Sequence, residues 1–172
     1  MEEVMPCGTA GTPNRTVVMM CGLAGSGKTT YALTLEESGY ARLSIDEEIW
    51  RRFGRDGAEF APDEYERHKG AAEEELWERL AALMRAGRPV VLDYSFWRRE
   101  TRRRYQAFIE SHGYRWELVY LKADREILRR RLAVRSTVRG ANAVTVSEEL
   151  LDRYLAGFEE PAGEGERTIL QH

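Results

Sequence analysis

Two spacings of apolar residues alternate along this chain. Thr16 to Cys21 (TVVMMC) is an uncharged run, β-branched at its start and too short for a helix, and it reads as a buried strand. Four further short runs read the same way: Tyr40 to Ile45 (YARLSI), Pro89 to Asp93 (PVVLD), Trp116 to Leu121 (WELVYL) and Arg167 to Leu170. The longer segments between them carry apolar residues at helical spacing. Residues 28–38 present Tyr31, Leu33 and Leu35, and residues 63–86 present Leu76, Leu80, Leu83 and Met84. Helices are also predicted over 47–54, 98–111, 124–135 and 147–158. Gly39 and Gly87 stand where a helix would stop. Short apolar strands alternating with helices predict right-handed crossovers and a mainly parallel five-stranded sheet covered on both faces, a three-layer α/β fold. In such a sheet a ligand sits at the carboxyl ends of the strands.

Composition narrows the class without changing that picture. The chain has 172 residues, enough for one domain, with 42% apolar and 32% charged residues. We expect a single domain over 16–172 behind an acidic, loose leader, MEEVMPCGTAGTPNR (1–15), which lacks the basic and apolar regions of a signal peptide. No apolar run approaches the roughly 18 residues of a membrane span. The two cysteines, Cys7 and Cys21, do not suggest a disulfide scaffold, so the expected compartment is the cytoplasm. The net charge of −3 gives no global bias toward nucleic acid. Neither the histidines nor the cysteines have metal-ligand spacing.

Chemistry enters at the strand ends. Directly after the first strand, Gly22-Leu23-Ala24-Gly25-Ser26-Gly27-Lys28-Thr29 matches G-x-x-x-x-G-K-[ST], with a strand before it and a helix after it. Glycines let backbone N–H groups converge on phosphate oxygens, and the helix adds its positive end. Gly22, Ala24, Gly25, Ser26, Gly27, Lys28, Thr29 and Thr30 are therefore the expected nucleotide-binding residues of a P-loop NTPase fold. Lys28 is placed to bridge the β- and γ-phosphates and Thr29 to ligate Mg²⁺, so ATP and Mg²⁺ are the expected substrate and cofactor. Asp93 closes the third strand after apolar residues, a Walker-B-like pattern. It either holds Mg²⁺ through water, orients an acceptor, or is a turn aspartate. The chain has no N-K-x-D guanine reader, and it is short for an oligomeric motor ATPase. A small kinase remains.

The stretches GLAGSGKTT, LSIDEEIWR, VVLDYSFWRRETR and LRRRLAVRSTVRGANAVTVSEELLDRYLAGFEEP, spread from Thr16 to Pro161, resemble the small P-loop kinases grouped with chloramphenicol phosphotransferase, zeta toxin and polynucleotide kinase. The resemblance implies that Asp46, just past the second strand, takes the proton of an acceptor hydroxyl, a step worth roughly 10²–10⁴-fold. The competing reading makes Asp46 the N-cap of the next helix, with Glu47 and Glu48 as partners of that helix's dipole. The resemblance also implies a mobile lid over 136–145. Arg129, Arg130, Arg131, Arg135 and Arg139 cluster in and before it, and arginines that close over a transferring phosphoryl group lower its barrier. Arg131 and Arg135 share one helix face and come first; Arg139 follows, in RGANAV.

The acceptor is expected beneath the helical region 47–88. Asp46, Asp93, Trp50, Phe53, Tyr94 and Trp97 are candidate acceptor contacts. Tyr94, Phe96 and Trp97 serve equally as core, and Trp50 and Phe53 as ordinary packing. The expected partner is a small-molecule hydroxyl compound, for example an antibiotic or a metabolite containing a sugar or nucleoside. A nucleotide sugar, as for a zeta toxin, is a further alternative. A polynucleotide end is another, for which the basic run Arg98, Arg99, Arg102, Arg103 and Arg104 would be the surface. Oligomeric state is not legible.

Overall fold

The computed structural model describes residues 14–54, 62–135 and 146–172. Within them the strands are β1 (Thr16–Cys21), β2 (Ala41–Ser44), β3 (Val90–Asp93), β4 (Arg115–Lys122) and β5 (Arg167–Leu170). The helices are α1 (Lys28–Glu37), α2 (Ile45–Phe53), α3 (Pro62–Arg85), α4 (Arg99–Ser111), α5 (Arg125–Arg135) and α6 (Glu148–Gly157). The strands form one sheet in the order β2-β3-β1-β4-β5. Every pairing is parallel: Val17 lies opposite Val90, Met19 opposite Leu118, Leu43 opposite Leu92, and Leu121 opposite Ile169. This is the three-layer α/β arrangement of a P-loop NTPase.

Successive strand residues point to opposite faces, so each strand feeds two cores. Val17, Met19, Cys21, Leu43, Val90, Leu92 and Leu118 pack with Ile49, Leu76, Leu80, Tyr105 and Ile109 from α2, α3 and α4. Val18, Met20, Val91, Val119 and Leu121 pack under Ala32 of α1 on the other face. A third cluster, Leu23, Leu128, Leu132 and Leu151, seats α5 and α6 against the loop that follows β1. Burial on both faces explains why β1 and β3 carry no alternation in sequence.

The glycine stops behave alike. Gly39 N–H donates to Glu36 O (2.9 Å) and Tyr40 N–H to Leu35 O (3.1 Å), a closure that needs the positive φ of 98° only glycine adopts readily. Gly87 and Arg88 repeat it behind α3. One boundary differs from expectation. Ile45, read as the end of the second strand, opens α2 instead; Ser44, the last residue of β2, is the N-cap, and its Oγ accepts from Glu47 N–H at 3.3 Å. Asp46 therefore lies inside the first turn, and the capping role proposed for it belongs to Ser44. Among the described residues no helix is long and apolar enough to cross a membrane. The proposed lid, 136–145, and most of the leader lie outside the described residues.

Candidate active site

The loop between β1 and α1 is held from below. Gly22 N–H donates to Ser95 O (3.2 Å) and Ser26 N–H to Leu23 O (3.1 Å). Gly22, at φ 144°, is boxed in: a Cβ there would lie 2.7 Å from Ser26 Oγ and 2.8 Å from Leu121 O. Ser26 turns its hydroxyl into the protein, where it has no partner among the described residues. Gly22 and Ser26 thus shape the loop from beneath. Ala24, Gly25, Gly27, Lys28, Thr29 and Thr30 line a cleft of about 890 Å³ above it. Gly27 caps α1 without a side chain, leaving the first N–H groups of the helix open toward the cleft.

Lys28 folds back across this cradle, its Nζ donating to Leu23 O at 2.8 Å. Burial pushes its ammonium down to about 8, against the pull of Asp93 and Asp46. A phosphate group in the cradle would favour the charged form of Lys28. Thr29 Oγ1 and Asp93 Oδ1 converge at 3.4 Å beside it. Oxygen donors in that arrangement fit a hard divalent cation.

Asp93 also has a partner that the sequence reading missed. Arg42, on β2, donates to Asp93 Oδ2 from Nε (3.1 Å) and from a terminal nitrogen (2.7 Å), and to Glu47 Oε1 at 2.7 Å. Both ends of the Arg42–Asp93 pair are buried, with side chains 5% and 3% exposed. The register that sets Ser44 opposite Asp93 creates this pair. A strand order with β2 beside β3 was the missing information.

Asp46 opens into the same cleft. It makes no hydrogen bond or ion pair with any described residue. Desolvation in the cleft raises its pKa above the ordinary carboxylate value; Lys28 and Arg135 oppose the rise, while Asp93 adds to it. An unpaired carboxylate with a raised pKa, beside a lysine in a phosphate cradle, can accept a proton there.

The two α5 arginines separate. Arg131 reaches toward Gly25 O (3.4 Å), Gln171 Oε1 (3.3 Å) and His172 O (3.3 Å), at the loop and the residues after β5. The charge of Arg135 is felt at both Lys28 and Asp46. Arg139 lies outside the described residues. Of the aromatic candidates, Tyr94 lines the cleft while packing on Phe96 and Tyr105. Trp97 packs edge-on against Tyr154, and Phe53 lies over His68; neither they nor Trp50 line the cleft. Glu48 is no surface dipole partner: it is 4% exposed and holds Arg51 and Arg52. The basic run of α4 is not one surface either. Arg102 is wholly buried, bonded to Phe96 O, Glu159 O and both oxygens of Glu164, and Arg104 lies over Trp77.

A parallel sheet with a glycine cradle at the end of β1, a lysine in it and a carboxylate at the end of β3 defines a P-loop nucleotide-binding protein. The chain belongs to the AAA domain family, whose pattern its residues 17–161 match. No curated protein matches it significantly. Among solved structures it is similar to a kinase candidate from Chloroflexus aurantiacus J-10-fl, at 18% identity over 93% of this chain and 87% of that one, with a TM-score of 0.70. It is also similar to a sugar kinase from Janibacter sp. HTCC2649, at 22% identity over 92% and 85%, TM-score 0.56. A third is the Mycobacterium tuberculosis APS kinase CysC in complex with AMPPNP and APS, at 16% identity over 92% and 90%, TM-score 0.59.

Proposed function

We propose that the chain is an ATP-dependent kinase that transfers the γ-phosphate to a hydroxyl of a small molecule. One observation carries this reading: Asp46, unpaired among the described residues, opens into the cleft that the phosphate cradle lines. A cradle alone would suit any nucleotide-binding protein. A free carboxylate facing it gives an alcohol somewhere to put its proton. The sugar kinase and APS kinase structures support the same class by fold.

In this reading the loop N–H groups and Lys28 hold the β- and γ-phosphates. Thr29 and Asp93 are the residues that would hold Mg²⁺, which supplies charge neutralisation at the phosphate oxygens. Asp46 takes the hydroxyl proton as the acceptor oxygen bonds to the γ-phosphorus and the bond to the ADP oxygen breaks. Asp46 then returns the proton to solvent. Arg135 stabilises negative charge on the transferring group, and Arg131 holds the nucleotide end of the cleft. Closure over the site falls to 136–145, Arg139 included. Tyr94 and Ser95 form the acceptor wall. The acceptor's hydroxyl belongs to a compound of the antibiotic, sugar or nucleoside kind, in keeping with the resemblance to chloramphenicol phosphotransferase and zeta toxin. No observation favours a polynucleotide, since the run on α4 is partly interior.

The test is a panel of polyols, sugars, sugar acids, nucleosides and hydroxyl-bearing antibiotics incubated with ATP and Mg²⁺. ADP is followed, and mass spectrometry seeks a product heavier by one phosphate. Asp46→Asn should bind ATP within about threefold of wild type yet lose roughly 10²-fold or more of transfer. ATP consumption that yields inorganic phosphate alone, unchanged in Asp46→Asn, would make the protein a hydrolase instead.

A further inference from the structure

We propose that Arg42 is a positioning residue for Mg²⁺-dependent nucleotide binding, acting through Asp93 on the Thr29 hydroxyl. The inference rests on the P-loop kinase reading and adds to it a residue that does not line the cleft. Arg42 and Asp93 stand on the adjacent strands β2 and β3, with Arg42 opposite Val91 and Ser44 opposite Asp93, so both side chains leave the same face of the sheet. A guanidinium in so covered a place is retained only with partners for its fork. Asp93 Oδ2 takes two of its N–H bonds, at 3.1 and 2.7 Å. That leaves Oδ1 as the oxygen turned toward Thr29 Oγ1, at 3.4 Å.

The consequence is directional. A hydroxyl has one proton and two lone pairs. With Oδ1 held where it is, Thr29 gives its proton to Asp93 and keeps its lone pairs for the cradle side. Release Asp93 from Arg42 and the carboxylate is free to rotate, so neither Oδ1 nor the Thr29 lone pairs keep one direction. Arg42 is also bonded to Glu47 on α2, but that carboxylate is 50% exposed and is the weaker anchor. A lysine would restore the charge without the two-nitrogen grip.

The experiment is calorimetric titration of ATP into the full chain, once with Mg²⁺ and once with EDTA. Each protein's ratio of the two dissociation constants is its Mg²⁺ linkage. Arg42→Met should bind ATP in EDTA within threefold of wild type and lose at least tenfold of the linkage. Arg42→Lys should recover part of it, and Glu47→Gln should stay within threefold of wild type. A purely structural role would shift both constants together and leave the ratio alone. If Arg42→Met does not fold, Arg42→Lys carries the test, with at least a threefold loss expected. Wild-type linkage in the folded Arg42 variants overturns the proposal, and so does an equal loss in Glu47→Gln, which would put the effect in α2. A wild-type chain that binds no ATP at all would overturn the kinase reading and this inference with it. Tight, Mg²⁺-linked wild-type binding with unaffected variants would overturn this inference alone.

Discussion

Lys28 holds its charge in a place that disfavours it. Burial has brought the ammonium down to about 8, and among the described residues its one hydrogen bond goes to a backbone carbonyl, Leu23 O. A methionine of similar length would relieve that desolvation while removing the group that, in the kinase reading, meets the phosphates. Lys28→Met should therefore unfold at the wild-type temperature or above it, yet lose roughly 10²–10³-fold of phosphoryl transfer. Thermal unfolding and single-turnover kinetics on the same sample check both halves. A large drop in stability would make Lys28 a structural cation. Cys21 shows the opposite economy: burial pushes its thiol up to about 12, so it sits in the core as a small apolar side chain with no chemistry at neutral pH.

On α5 one turn of helix separates two arginines with different surroundings. Arg131 meets Gly25, Gln171 and His172, whereas Arg135 influences the Lys28 and Asp46 charges. Arg131→Ala should raise KM for ATP several-fold and spare kcat. Arg135→Ala should lower kcat at least tenfold, about 1.4 kcal/mol of barrier, and spare KM for ATP. Steady-state kinetics distinguish the two, and equal effects on both constants in both variants would deny the division. The sequence placed both arginines on one face but not apart, because helical spacing gives angle and says nothing of what lies beneath each turn. Most element limits were legible for a local reason: the glycine stops act through adjacent residues, and the buried strands differ sharply in composition from their flanks. The cradle was legible because its chemistry is contiguous. Arg42 and Arg102 were not, since their partners Asp93 and Glu164 are remote in sequence and meet them only through strand order and the path of the C-terminal segment. A charged residue in a helix or strand reads as solvated until its partner is known.

Across the whole molecule, Arg102 ties the segment after α6 to the loop after β3. Its guanidinium joins Phe96 O, Glu159 O and the Glu164 carboxylate, and Phe96 adopts a left-handed φ of 47° next to the cleft residue Ser95. Hydrogen bonds from Arg102 hold the Glu164 carboxyl below its ordinary value of 4.5. A lowered folded pKa means stability that is fully present above the unfolded value and lost as pH falls below it and through the lowered folded value. Arg102→Met, which strands a buried carboxylate, should cost about 3–5 kcal/mol at pH 7. Glu164→Gln should cost less, and its deficit against wild type should shrink once the pH is below 4.5. Urea unfolding of both variants at neutral and acid pH measures this, and a deficit independent of pH would show that the carboxylate's charge is irrelevant.

The place of β1 in the sheet has a consequence for how the protein comes into being. β1 carries the nucleotide loop and precedes both of its partner strands in the chain, yet it is central: Val17 needs Val90 on one side and Thr16 needs Arg115 on the other. Such remote pairings form late, after the entropy of closing long loops has been met. During synthesis an apolar strand with two open edges must wait for β3 and β4 to emerge, which leaves it exposed to wrong pairing in the meantime. The loop read as the phosphate cradle therefore precedes the strands that flank β1 and becomes able to bind only once β4 is in place.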